Sequence, residues 1–178
     1  MKFRDGLPSL RREPLARLVV SVLSTAKDRL GVRLVHFSVQ ANHVHLIVEV
    51  DGPRALSRAM QGLATRLAHR VNSRLARRGR VFADRYHARA LRTPLEVRRA
   101  LVYVLHNHRH HQTGVGRPIL FDPLSTAAHF VGFTPQLSRL SHRRVARDAE
   151  APVARARTWL LRVGWRRHGL LSMRDVPS

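Results

Sequence analysis

The strongest constraint on this chain is a pair of apolar, β-branched runs set back to back, VRLVHFSVQ at 32–40 and ANHVHLIVEV at 41–50. Segments of this length and composition form strands. The short polar break at Gln40, Ala41 and Asn42 predicts a hairpin. A lone hairpin is marginal in water, so other elements must cover it. The flanking sequence supplies them. Residues 13–31 read as a helix, with Pro14 suited to the first position and Gly31 to the stop. Its apolar stripe is Leu15, Leu18, Val19, Val22, Leu23, Ala26 and Leu30. Asp51, Gly52 and Pro53 turn the chain into a long helix that Gly79 ends, with Leu56, Met60, Leu63, Leu67, Val71 and Leu75 as its stripe. Residues 81–91 read as an irregular lead-in and a third strand. Thr93-Pro94-Leu95-Glu96 is a capping-box start to a helix reaching about His111, with Val97, Leu101 and Leu105 spaced for burial.

This order predicts an α+β fold, with helices on one face of an antiparallel sheet. Gly114, Gly116, Pro118 and Pro123 then mark an irregular segment. A basic stretch follows at 139–147, and 151–171 reads as one or two short helices. The division expected is a core at 1–112 and a basic, helical extension at 113–178. A length of 178 residues fits one domain with an appendage.

Charge narrows the function. Lys and Arg total 33 against 11 Asp and Glu, a formal net charge of +22. A chain so charged repels itself and pairs with polyanions, of which nucleic acid is the usual one. All but Lys2 and Lys27 are arginines, whose forked guanidinium suits phosphate. The absence of cysteine excludes disulfides, thiolate metal sites and cysteine nucleophiles, and fits a reducing cytoplasm. Neither a membrane span nor a signal peptide is expected.

Two patterns could carry chemistry. On a strand, His43, His45, Ile47 and Glu49 share one face, and Val44, Leu46, Val48 and Val50 the other. The valine face can pack under helices, leaving two imidazoles side by side. Such a pair chelates a divalent ion, although two surface histidines would look the same in sequence. On the helix after Thr93, Glu96, Arg99, Tyr103, Asn107 and His110 share a face opposite Leu101 and Leu105. A phenol is a weak nucleophile that a neighbouring cation assists, and Asn107 offers a carbonyl oxygen to a hard cation. Taken without context, a half-buried tyrosine that merely anchors its helix fits better. Tyr86 is the one other tyrosine.

The run Asn42-His43-Val44-His45-Leu46-Ile47-Val48 resembles the signature of single-tyrosine HUH transposases, and more closely their REP-associated tyrosine transposase branch. Phe82-x-x-Arg85-Tyr86-His87 is similar to an aromatic-x-x-Arg-Tyr-His segment of that branch. Tyr103-Val104-Leu105-His106-Asn107 resembles its tyrosine helix. With Phe121-Asp122-Pro123-Leu124-Ser125-Thr126 and Thr158-Trp159-Leu160-Leu161, the resemblance covers most of the chain. It implies a ferredoxin-like fold. It implies Mg2+ or Mn2+ held by His43 and His45, with Asn107 as a third ligand. It also implies attack of Tyr103 on single-stranded or hairpin DNA, giving a 5′-phosphotyrosine link and a free 3′ hydroxyl. Two departures stand out. The family core begins with a strand, and only residues 1–4 precede Asp5-Gly6 here, so that strand is expected to be clipped. The branch often has Asn-Pro after the tyrosine, whereas His108 follows Asn107, so the helix is expected to continue through His110 and His111.

The remaining basic and aromatic residues have candidate roles. Arg80, Arg85, Arg89 and Arg92 surround the third strand and could track a DNA backbone. His108 and His111 read as cationic residues at a helix end, while His106 and His110 stay open. Trp159, beside Leu160 and Leu161, reads as packing the tail onto the core rather than stacking on bases. The rival readings are a non-catalytic binder of hairpin nucleic acid and an RNA-binding protein. Either a monomer or a homodimer is compatible with the sequence, and the enzyme would work in the cytoplasm on nucleoid DNA.

Overall fold

The computed structural model describes residues 1–29, 31–107, 120–142 and 151–177. The predicted hairpin is its centre. Strand β1 (Asp28–Arg29) pairs with β2 (Val32–Val39), which pairs with β3 (Val44–Val50), all antiparallel and in that order. The β2–β3 register runs from Val32 opposite Val50 to Val39 opposite Val44, with a shift between Leu34 and His36. Such a bulge bends the strand and re-aims its side chains.

Helix α1 (Leu15–Thr25) is shorter than the stripe predicted. Pro14 caps it from outside, and the chain leaves the helix early enough to form β1. Gly31 does not end a helix. At φ +74° it lies in the turn that carries β1 back into β2. Helix α2 (Pro53–Arg74) buries Met60, Leu63, Leu67 and Val71, as its spacing predicts. Helix α3 starts at Pro94 with the full capping box: the Thr93 hydroxyl accepts from the Glu96 amide, and the Glu96 carboxylate accepts from the Thr93 amide. Its described part ends at His106, so an extension through His110 and His111 falls outside the described residues.

Helices on a single face of the sheet are not what forms. One core joins Val19 and Leu23 of α1 and Leu63 and Leu67 of α2 to Leu34, Phe37 and Val44 of the sheet. A second core covers the opposite face, where Ile47 meets Val97, Leu101 and Leu105 of α3. Phe121, Phe130, Phe133, Trp165 and Leu171 complete it. The α3 stripe needs an apolar partner, and Ile47 between the histidine and glutamate positions of β3 provides it. Helix α4 (Pro135–His142), helix α5 (Trp159–Arg162) and short 3-10 turns at Thr126–His129 and Gly164–His168 make up the rest.

The N-terminal strand is present in shortened form. Met1 and Val44 exchange hydrogen bonds, the Met1 amine donating to Val44 O at 2.8 Å and the Val44 amide to Met1 O at 2.9 Å. On the other side the Arg4 amide donates to Val81 O and the Ala83 amide to Lys2 O. Residues 1–4 therefore sit between β3 and residues 81–83. The third strand predicted over 81–91 is pairing-competent only at 81–83, and residues 84–92 carry no regular structure.

Candidate active site

His43 enters the sheet opposite Lys2, and His45 follows two residues on along β3. The pleat sends both imidazoles to the face that α3 covers. Their Nε2 atoms lie 2.9 Å apart, with the rings nearly perpendicular at 83°. The side-chain oxygen of Asn42 lies 2.9 Å from His43 Nδ1. A carbonyl oxygen only accepts, so Nδ1 of His43 carries the proton and its Nε2 presents a lone pair. A proton on His45 Nε2 would be donated to that lone pair. Two right-angled nitrogen ligands about 2.1 Å from a divalent ion would stand about 3 Å apart, so the observed separation suits a chelating pair. Among the described residues no group of three or more His, Cys, Asp or Glu could hold a metal ion. A third ligand drawn from the described residues would then be a neutral group such as an amide.

Packing of α3 on Ile47 fixes where the tyrosine goes. The Tyr103 ring lies edge-on to His45, centroids 4.8 Å apart and planes at 82°. It keeps 37% of its surface exposed, while Tyr86 packs half-buried against the first core. Of the two tyrosines, Tyr103 is the one in contact with the histidine pair. Asn107, one turn further along, is only 3% exposed, and its amide nitrogen has no hydrogen-bond partner. An orphaned buried amide is costly, and a shift that engages it with another group would relieve that cost.

Tyr103 and His45 open onto a groove of about 1000 Å³. Its walls include β3, the start of α2, residues 86–91, and Glu96 and Arg99 of α3. Of the four arginines predicted to meet DNA, Arg89 lines this groove, and Arg80, Arg85 and Arg92 are exposed nearby in sequence. Arg99, one turn before Tyr103, also lines it. His106 turns away from the site. It is buried, with Nδ1 3.2 Å from the Asp175 carbonyl and its ring stacked on Phe133. His108, His110 and His111 lie outside the described residues.

Two participants were not assigned a role from sequence. Asn42 is one; its place immediately before His43 was the available signal. Glu49 is the other. Its buried carboxylate accepts from the Arg157 amide and from both the amide and hydroxyl of Thr158. Burial pushes this carboxyl up, but the Thr158 and Arg157 hydrogen bonds and the Arg33 charge hold it below the usual range. Glu49 thus ties the last segment of the chain to the histidine strand. Trp159 does not pack into the core as predicted. Trp165 is 1% exposed and packs on Phe130, whereas Trp159 is 49% exposed.

The sequence model of the IS200-like transposases matches residues 8–107 of 178. The chain belongs to the IS200-like transposase family. The matched span contains His43, His45, Tyr103 and Asn107, so the site described lies wholly within it. Membership makes the chain a transposase by class, with DNA as its partner, and such enzymes generally use divalent metals. No curated protein and no solved structure matches the chain. No helix among the described residues is long and apolar enough to cross a membrane.

Proposed function

We propose that this transposase nicks and rejoins single-stranded DNA through a covalent bond to Tyr103. The observation that carries the reading is the Tyr103–His45 contact at the mouth of a groove, beside two Nε2 atoms 2.9 Å apart. The phenol oxygen attacks a backbone phosphorus. The bond from phosphorus to the 3′ oxygen breaks, and the departing oxygen takes up a proton. The products are a 5′-phosphotyrosine link and a free 3′ hydroxyl. Attack by another 3′ hydroxyl reverses the step and joins strands without an external energy source. His43 and His45 are the groups to hold Mg2+ or Mn2+, with the Asn107 side-chain oxygen as third ligand. Such an ion supplies Lewis-acid polarisation of the scissile phosphate. Arg89 and Arg99 neutralise phosphates in the groove, and Arg80, Arg85 and Arg92 continue the basic track.

In this reading residues 1–112 form a ferredoxin-like catalytic core and 113–178 its extension. The substrate is hairpin-bearing DNA, as in the REP-associated branch. Purified protein mixed with labelled hairpin DNA and Mn2+ should give an adduct on a denaturing gel. Tyr86→Phe should keep the adduct and Tyr103→Phe should lose it. Wild-type protein that binds several hairpins yet forms no adduct would leave a non-catalytic binder instead.

A further inference from the structure

We propose that Trp159 and Arg167 form a stacking platform for an unpaired base of single-stranded DNA, at the rim of the Tyr103 groove. The inference rests on the strand-transfer reading above and adds a subsite to it. Trp159 opens α5, and its neighbours Thr158, Leu160 and Leu161 line the groove. Trp159 itself does not line the groove, so the platform would engage a strand that continues past this wall. Trp159 keeps nearly half of its surface open to solvent. The arrangement is built rather than loose. Gly164 lies directly against the ring, since a Cβ there would come within 2.6 Å of the indole. The Arg167 guanidinium sits over the ring at 4.8 Å from its centroid. Thr158 caps α5 and is itself held by Glu49, which fixes the platform to the strand bearing His45.

The surroundings select the ligand. Arg167 lies on the Trp159 ring, and Arg162 and Arg166, close by in sequence, are also exposed, so the segment is cationic as well as aromatic. An apolar protein partner would have to bury those guanidinium groups. A nucleotide supplies both a π-face for the indole and a phosphate for the arginines. Arg167 already lies on the ring, so a base can join the same column.

The tryptophans make the test direct, because Trp165 is buried and only Trp159 can be reached by a base. Binding of labelled single-stranded oligodeoxythymidine is followed by anisotropy, and tryptophan emission is recorded in the same titration. Wild-type emission should fall as the oligonucleotide binds, and Trp159→Phe should abolish the fall. Trp159→Ala should weaken binding about tenfold, the Phe variant much less, as stacking on a flat ring requires. Arg167→Ala should also weaken binding. Oligonucleotide that binds without quenching, or equally tight binding by Trp159→Ala, overturns the platform and leaves the strand-transfer reading standing. Absence of binding both to oligodeoxythymidine and to hairpin DNA overturns both. Binding of the matching RNA alone overturns the assignment to DNA.

Discussion

Lowering the pH from 7 to 5 should remove about 2 kcal/mol of folding stability through His36 alone. His36 lies on β2 beneath the Thr126–His129 turn, its Nδ1 3.1 Å from Thr126 Oγ1 and its ring edge-on to Phe130. Burial pushes its pKa down from 6.5 to about 4. The unfolded chain therefore takes up a proton that the folded chain refuses. Stability from this group is fully present above pH 6.5 and is lost as the pH falls towards 4. The whole window is worth about 3 kcal/mol, most of it gone by pH 5. His129, also lowered by burial, titrates in the same direction. Carboxyls held below their usual range, such as Glu49 and Asp175, release their share lower in pH. The decisive quantity is thus a difference between proteins. Denaturant unfolding followed by circular dichroism at several pH values should show wild type losing about 2 kcal/mol more than His36→Gln between pH 7 and 5. Parallel curves for the two proteins would refute a neutral, buried His36.

Three further outcomes follow from the geometry. Asn42→Ala should weaken Mn2+ binding about tenfold, and Asn42→Asp should restore it, read by electron paramagnetic resonance of free Mn2+. Equal affinities would show that Asn42 does not set the His43 tautomer. Gly132→Ala should destabilise by about 1–3 kcal/mol in thermal unfolding, because its Cβ would lie 2.5 Å from the buried Trp165 ring. Arg11→Ala should cost about 2–3 kcal/mol in the same assay, since it strips the buried Asp122 of two charge-assisted bonds at 2.8 and 2.9 Å.

Local signals in the sequence carried the hairpin, α2 and the capped start of α3, because turn chemistry and a 3.6-residue stripe are properties of neighbours in the chain. They also placed His43 and His45 on one face. The end of α1 was not legible, because Gly31 suits a helix stop and a strand turn equally, and only pairing of Asp28 with Arg33 decides between them. The third strand failed for a related reason: residues 84–91 have strand-like composition, but pairing depends on a partner distant in the chain, which the structure shows only at 81–83. Trp159 was misplaced because Leu160 and Leu161 beside it look like a core sequence, while Trp165, between Gly164 and Arg166, carries no local signal for burial. Space left by Gly132 for the Trp165 ring cannot be seen from either neighbourhood.

The first residue of this chain is a structural member. Its α-amine is pushed below the usual range by burial and donates to the carbonyl of Val44, between the two histidines of the site. Anything joined ahead of Met1 replaces that amine with an amide. It also sends new backbone along β3 past Val44, towards His45. An affinity handle placed there is therefore a perturbation of the strand that carries both histidines, and activities measured with one would describe the fusion as much as the transposase.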